Sequence, residues 1–253
     1  MIQINKNSIE NIPVLTVVQA EKMNESVPTV VYYHGFNGEK ESSLTIAYKI
    51  AEKGFRVILP DSIFHGERRG NASQSEMELA FWEIVIQNIQ ELNEIKSYLE
   101  AENLVIPGQI GIGGTSMGGI TTYGALKTYS WVKAAAVLMG SPLMTAHAKK
   151  LIEKFNQANE RQITQEEKVE TMKRLEQFDL SLHTEKLANR PLFIWHGEKD
   201  PIVPVQYSET FYTEIENQYT KAENLQFIIE KGRTHNISRL SIEETAKWFE
   251  KHL

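Results

Sequence analysis

A serine framed by glycines, where an apolar strand should turn into a helix, is the clearest chemical feature of this chain. It is Gly114-Thr115-Ser116-Met117-Gly118, within the longer run Ile110-Gly111-Ile112-Gly113-Gly114-Thr115-Ser116-Met117-Gly118-Gly119. Gln109 to Ile112 reads as a short strand and Ile120 to Lys127 as helix-compatible, the setting in which a G-x-S-x-G motif presents a nucleophile. Flanking residues without a Cβ let strand and helix approach while the serine takes a strained backbone conformation. The hydroxyl would then stand at the carboxyl end of a strand, beside a helix N-terminus that favours developing negative charge. The plainer alternative is a glycine-rich turn of a nucleotide-binding fold, but neither G-x-G-x-x-G nor a P-loop lysine occurs there.

A serine hydroxyl is a weak nucleophile at neutral pH. Acyl transfer needs a neutral imidazole to take its proton and a carboxylate to hold that imidazole in the right tautomer. The chain has three aspartates, Asp61, Asp179 and Asp200. Asp200 lies in a turn directly after an expected strand and downstream of the serine, which makes it the best acid by position; Glu198, two residues away, is the fallback. Of the seven histidines, His235 sits in the loop between the last expected strand and the final helix. His34 and His196 are read as structural. An oxyanion also needs two backbone N–H donors. Met117, at the helix start, supplies one, and Phe36 in the loop His34-Gly35-Phe36-Asn37-Gly38 is chosen for the other.

These residues need a scaffold, and the chain alternates accordingly. Pro13–Ala20, Thr29–Tyr33, Phe55–Leu59, Gln109–Ile112, Val132–Met139, Pro191–His196 and Leu225–Glu230 read as strands. Ser42–Lys53, Ser75–Ala101, Val205–Asn217 and Ser238–Leu253 read as helices, the second opening on a Ser75–Glu78 capping box. Ile242, Ala246 and Phe249 are the expected inner face of the last. Repeated strand–helix alternation implies crossovers and a mostly parallel central sheet with helices on both faces, an α/β fold that collects ligands at the carboxyl ends of its strands. The segment 143–186 breaks the rhythm. It is rich in Lys, Glu and Gln, carries a second capping box at Thr164–Glu167, and has Val169, Met172 and Leu175 on a narrow apolar face. It is expected to be a helical cap insertion in a single domain spanning 1–253.

Composition narrows the class. A net charge of −6 argues against a surface for nucleic acid or anionic lipid. The absence of cysteine removes disulfides, thiolate nucleophiles and thiolate metal sites and suits a reducing cytoplasm. Met1 to Asn11 lacks the pattern of a secretory signal, and no apolar run reaches the ~18 residues of a membrane span. The expectation is a soluble cytoplasmic protein acting on a small molecule, with no nucleic-acid or membrane partner; a homodimer is compatible with the sequence.

On these residues the chain resembles the α/β-hydrolase superfamily, and within it bacterial esterases related to dienelactone hydrolases and the prolyl-oligopeptidase catalytic domain. The resemblance is carried by Tyr33-His34-Gly35-Phe36, Gly114-Thr115-Ser116-Met117-Gly118-Gly119, His196-Gly197-Glu198-Lys199-Asp200-Pro201-Ile202-Val203-Pro204 and Thr234-His235. The order Ser116, Asp200, His235 is that of the superfamily's triad. The resemblance implies hydrolysis of carboxylic esters of small to medium acyl groups through an acyl-enzyme, with neither metal nor organic cofactor. It further implies that Asp61-Ser62-Ile63-Phe64-His65-Gly66-Glu67-Arg68 lines the site. The HGGG loop of many lipases is absent, which sets lipase-like handling of bulky tertiary or long-chain esters apart. A small peptidase or amidase of the same fold and a non-catalytic binding protein are the competing readings.

Overall fold

The computed structural model of the chain describes residues 1–158 and 162–253. Residues 159–161, part of the expected insertion at 143–186, lie outside the described residues. The strands are β1 (Ile2–Ile9), β2 (Ile12–Gln19), β3 (Val27–Tyr33), β4 (Arg56–Pro60), β5 (Val105–Thr115), β6 (Ala134–Leu138), β7 (Leu192–Gly197) and β8 (Leu225–Glu230). They form one sheet in the order β1-β2-β4-β3-β5-β6-β7-β8, antiparallel at β1-β2 and β2-β4 and parallel elsewhere. This is the expected α/β-hydrolase architecture. The sequence reading missed β1: it is an edge strand joined to β2 by a tight turn, and its Ile4 is 49% exposed. An edge strand with polar residues at five of its eight positions carries no apolar run to find.

The helices are α1 (Leu44–Ala51), α2 (Gln74–Leu79), α3 (Phe81–Ala101), α4 (Met117–Thr128), α5 (Met144–Ala158), α6 (Gln165–Glu176), α7 (Val205–Ile215) and α8 (Arg239–His252). Because side chains alternate along a strand, the parallel core strands feed two hydrophobic layers. Val31, Tyr33, Ile112, Val137 and Ile194 pack with residues of α3, α4 and α7. Val30, Tyr32, Ala136, Leu138 and Trp195 pack with residues of α1 and α8 on the other face, Ala246 and Phe249 among them. A third cluster, with Trp82, Ile86, Met117, Ile120, Met144 and Leu175, joins α3, α4, α5 and α6 beyond the strand ends.

The expected helix from Ser75 to Ala101 is two helices, with Ala80 at the junction. Its capping box lies two residues earlier than read: Ser73 Oγ accepts from the Glu76 N–H, and the Glu76 carboxylate accepts from the Ser73 N–H. Serines at both positions precede a glutamate by three, so spacing alone could not choose. The box at Thr164 and Glu167 is present as read. On α6, Leu175 is buried but Val169 is 57% exposed, so the apolar face is narrower than expected. No helix among the described residues is long and apolar enough to cross a membrane.

Topology places the chemistry. From β3 the chain runs outward through α1 to β4, then returns through α3 to β5 on the far side of β3. Since α1 and α3 cover opposite faces, the carboxyl ends of β3 and β5 flank a crevice, the ligand position of such sheets. The turn after β5 fits there only because positions 114 and 118 carry no side chain. A Cβ on Gly118 would stand 2.2 Å from the carbonyl oxygen of Tyr33, and one on Gly114 would stand 2.3 Å from the Gly118 backbone. Gly118→Ala is expected to destabilise the fold by about 3 kcal/mol or more, since backbone must move to admit the methyl. Urea unfolding measures this, and a wild-type midpoint in the variant would contradict it.

Candidate active site

Ser116 has φ 56° and ψ −112°, a conformation rare for any residue bearing a Cβ. It is held by hydrogen bonds on both sides: its N–H donates to Leu138 O at 2.8 Å, and its carbonyl accepts from Ile120 N–H at 3.0 Å. The first ties the turn to the end of β6, and the second starts α4. The hydroxyl is left pointing at the imidazole of His235, whose Nε2 lies 2.8 Å from Ser116 Oγ.

His235 Nδ1 is 2.6 Å from Asp200 Oδ2. The two contacts fit one neutral tautomer, with Nδ1–H donating to the carboxylate and Nε2 accepting from the serine O–H. The parallel pairing of β7 with β8 continues into their loops, where Lys199 N–H donates to Arg233 O at 2.8 Å and Glu198 N–H to Glu230 O at 3.1 Å. These bonds bring position 200 opposite position 235. The other carboxylate oxygen of Asp200 accepts from the N–H groups of Ile202 (2.8 Å) and Val203 (2.9 Å). Burial opposes ionisation of Asp200. The hydrogen bonds from His196, His235 and the Val203 N–H outweigh it and hold the carboxyl well below the usual carboxylate range. Asp200 is therefore a charged, oriented acceptor for the His235 ring.

The remaining acids have other work. Glu198 accepts from the Gly232 N–H at 2.8 Å, fixing the loop that leads to His235. Asp179 accepts from the N–H and hydroxyl of Thr145, both at 2.7 Å, at the start of α5. Asp61 is fully buried and takes the Lys40 ammonium at 2.7 Å and the Lys40 N–H at 2.9 Å. His196 bonds to Ser208 Oγ and Val203 O, each at 2.8 Å, in the structural role expected of it.

The loop after β3 is built from both sides. Gly35 O accepts from Gly38 N–H at 2.9 Å and from His34 Nδ1 at 2.8 Å, which fixes the plane of the Gly35–Phe36 peptide. His34 Nε2 accepts from Ser62 N–H at 3.2 Å, and burial pushes its pKa down to about 4, so the ring is neutral as these bonds require. Neither the Phe36 nor the Met117 N–H donates to another group among the described residues. The segment Asp61–Arg68 corrects the sequence reading. It does not line the cavity at Ser116; it stands behind the loop, where His65 Nε2 bonds to Phe36 O.

Above Ser116 lies a cavity of about 740 Å³, within the range of small-molecule sites. Its wall is mostly apolar, including Phe36, Phe81, Ile120, Leu151, Phe155 and Ile237. The sequence reading missed His147, which enters this wall from α5. Its only signal was its place four and eight residues before Leu151 and Phe155 on one helical face. No group of three His, Cys, Asp or Glu side chains among the described residues could hold a metal ion.

Comparison with known proteins gives the same picture from another direction. Residues 85–253 match the model of the prolyl oligopeptidase family. YitV of Bacillus subtilis, named there as a candidate esterase, is 43% identical over the full length of both chains. Esterase YjfP of Escherichia coli is 29% identical, again over the whole of both. The crystal structure of TT1662 from Thermus thermophilus superposes with a TM-score of 0.77 at 19% identity, covering 99% of this chain and 98% of that one.

The state of Asp200 has a thermodynamic consequence with a definite sign. A carboxyl whose pKa is depressed by folding stabilises the folded state above its unfolded value, near pH 4, and that contribution is lost as pH falls through the range below it. The unfolding free energies of wild type and Asp200→Asn are therefore expected to differ most at neutral pH and to converge on acidification below about pH 4. A gap that widened with acid would carry the opposite sign and rule out this state of Asp200.

Proposed function

The chain belongs to the prolyl oligopeptidase family, and on that premise we propose that it is a serine hydrolase cleaving carboxylic esters of small to medium acyl groups. The observation that carries this reading is the pair of contacts from Ser116 Oγ to His235 (2.8 Å) and from His235 to Asp200 (2.6 Å), at the floor of an apolar cavity. Both curated relatives are named as esterases, YitV as a candidate, and align end to end with this chain.

Ser116 Oγ attacks the ester carbonyl as its proton passes to His235 Nε2. The resulting imidazolium is stabilised by ionised Asp200, which itself stays unprotonated. The tetrahedral oxyanion is met by the N–H groups of Phe36 and Met117, preset by the His34–Gly35 and elbow geometry rather than reorganised during reaction. His235 then gives its proton to the leaving alkoxide, and an acyl-enzyme remains. Water, giving its proton to His235, attacks the acyl carbonyl; His235 passes that proton to Ser116 Oγ as the bond to the acyl group breaks, which releases the acid and restores the hydroxyl. Within the single domain 1–253, the helices of segment 143–186 act as a cap, because α5 supplies one wall of the cavity. The cysteine-free composition supports the cytoplasm as its compartment.

Hydrolysis of p-nitrophenyl acetate, butyrate and octanoate, in buffer without added metal, tests the reading. Wild type should turn over the shorter esters, and Ser116→Ala should lower kcat by at least about 10⁴-fold. Equal rates in both would remove Ser116 from the mechanism. An anilide of the same acyl group hydrolysed as fast as its ester would make the protein an amidase instead. Leu151→Trp, which fills the cap side of the cavity, should lower kcat/KM for octanoate relative to acetate by about 10-fold or more. An unchanged ratio would show that α5 does not bound the acyl chain.

A further inference from the structure

The reacting groups account for the floor of the cavity. Its roof holds one residue that packing does not explain. His147 is 5% exposed, and its ring sits edge-on to Trp82 (centroids 6.0 Å apart) and 5.7 Å from the ring of Tyr207. Its backbone N–H is used within the helix turn, donating to Leu143 O at 2.9 Å. Neither ring nitrogen hydrogen-bonds to another described residue, and Nδ1 is sealed from solvent. Leaving a buried polar group unpaired costs about 1–3 kcal/mol. A phenylalanine or leucine would close the roof without that cost.

Its surroundings make it conspicuous. Besides the proposed reacting residues, His147 is the one buried polar side chain of the cavity wall among the described residues that has no partner; Asn37, Glu78, Lys154 and Asn236 are exposed and mark the rim. Burial, reinforced by the Lys154 and Lys150 ammonium groups on the same helix, lowers its pKa to about 4. At neutral pH the ring therefore carries one N–H and one lone pair. With Nδ1 sealed, it is Nε2 that meets the cavity, donating in one neutral tautomer and accepting in the other. A hydroxyl pairs with Nε2 in either tautomer, whereas a carboxylate pairs only with the donor form and an ammonium only with the acceptor form.

We propose that His147 is a substrate-recognition residue, and that the cavity takes esters bearing a hydroxyl a few bonds from the scissile carbonyl, with that hydroxyl bound by His147. The proposal rests on the ester-hydrolase reading and specifies its substrate. The hydroxyl can belong to the acyl or to the alcohol part of the ester, and two substrate pairs separate these sources: p-nitrophenyl 3-hydroxybutyrate against p-nitrophenyl butyrate, and 2-hydroxyethyl butyrate against ethyl butyrate followed by acid release.

In wild type, kcat/KM is expected to favour the hydroxylated member of one pair by about 10-fold or more, the range of one well-placed hydrogen bond. His147→Phe keeps the ring contacts with Trp82 and Tyr207 and should bring that ratio close to one. His147→Gln, which can still donate and accept, should keep part of it. A structural role alone would lower both members of a pair together and leave the ratio intact. Survival of the preference in His147→Phe overturns the proposal. Should that variant fail to fold, the wild-type ratio and His147→Gln decide. Hydrolysis of butyrate esters by wild type with no hydroxyl preference in either pair overturns the assignment of His147 alone, whereas a wild type that cleaves no ester overturns the ester-hydrolase reading and this one with it.

Discussion

Ser116 is held at φ 56° and ψ −112°, a conformation that costs of order 1–3 kcal/mol and persists only where its surroundings over-determine it. Here they do so through the sheet. The serine's N–H is committed to β6, its carbonyl to the first turn of α4, and the glycines on either side sit against backbone with no room for a side chain. The strain is useful because it separates the side chain from the main chain. Every backbone group of Ser116 is used, so the hydroxyl alone faces the cavity. The rest of the site is arranged to meet an oxygen at that fixed point: the loop after β3 from one side, the loops after β7 and β8 from the other.

Histidine shows how far environment decides role. Five of the chain's imidazoles stand in or beside the site, and each has different partners. His34 fixes the peptide plane of Phe36, and His65 holds that residue's carbonyl. His196 is locked between Ser208 and Val203 and bears on Asp200 at 3.3 Å. His235 bridges acid and serine, and the His147 ring has no hydrogen-bond partner among the described residues. The residue type says only that a proton can be held or passed; hydrogen-bond partners decide whether it is.

What the sequence made legible follows from which constraints are local. The turn at Ser116 could be read because its glycines answer to backbone geometry within five residues. Asp200 and His235 could be placed because each follows a parallel strand, and parallel strands deliver their loops to one end of the sheet. His147 could not, since α5 is an amphipathic stretch whose inward face is defined only by what α3 and α7 bring against it. The break at Ala80 escaped for a similar reason: Leu79 and Trp82 keep a helical spacing whether or not the axis bends between them. The motif from Asp61 to Arg68 points to the site but not to the side of it on which the loop stands, because its burial against Lys40 and Phe36 is set by pairing between distant segments.

The bonds between the loops after β7 and β8 give the architecture a modular character. The chain leaves the sheet at the end of β6 and re-enters at its immediate neighbour β7, so everything between is an excursion whose two ends are anchored in adjacent strands. Its length does not enter the register that sets Asp200 opposite His235. Closing a longer loop there costs only about 0.6 kcal/mol per doubling. Evolution can therefore exchange the wall that α5 contributes, and with it the range of molecules admitted, while the atoms beneath it stay where they are.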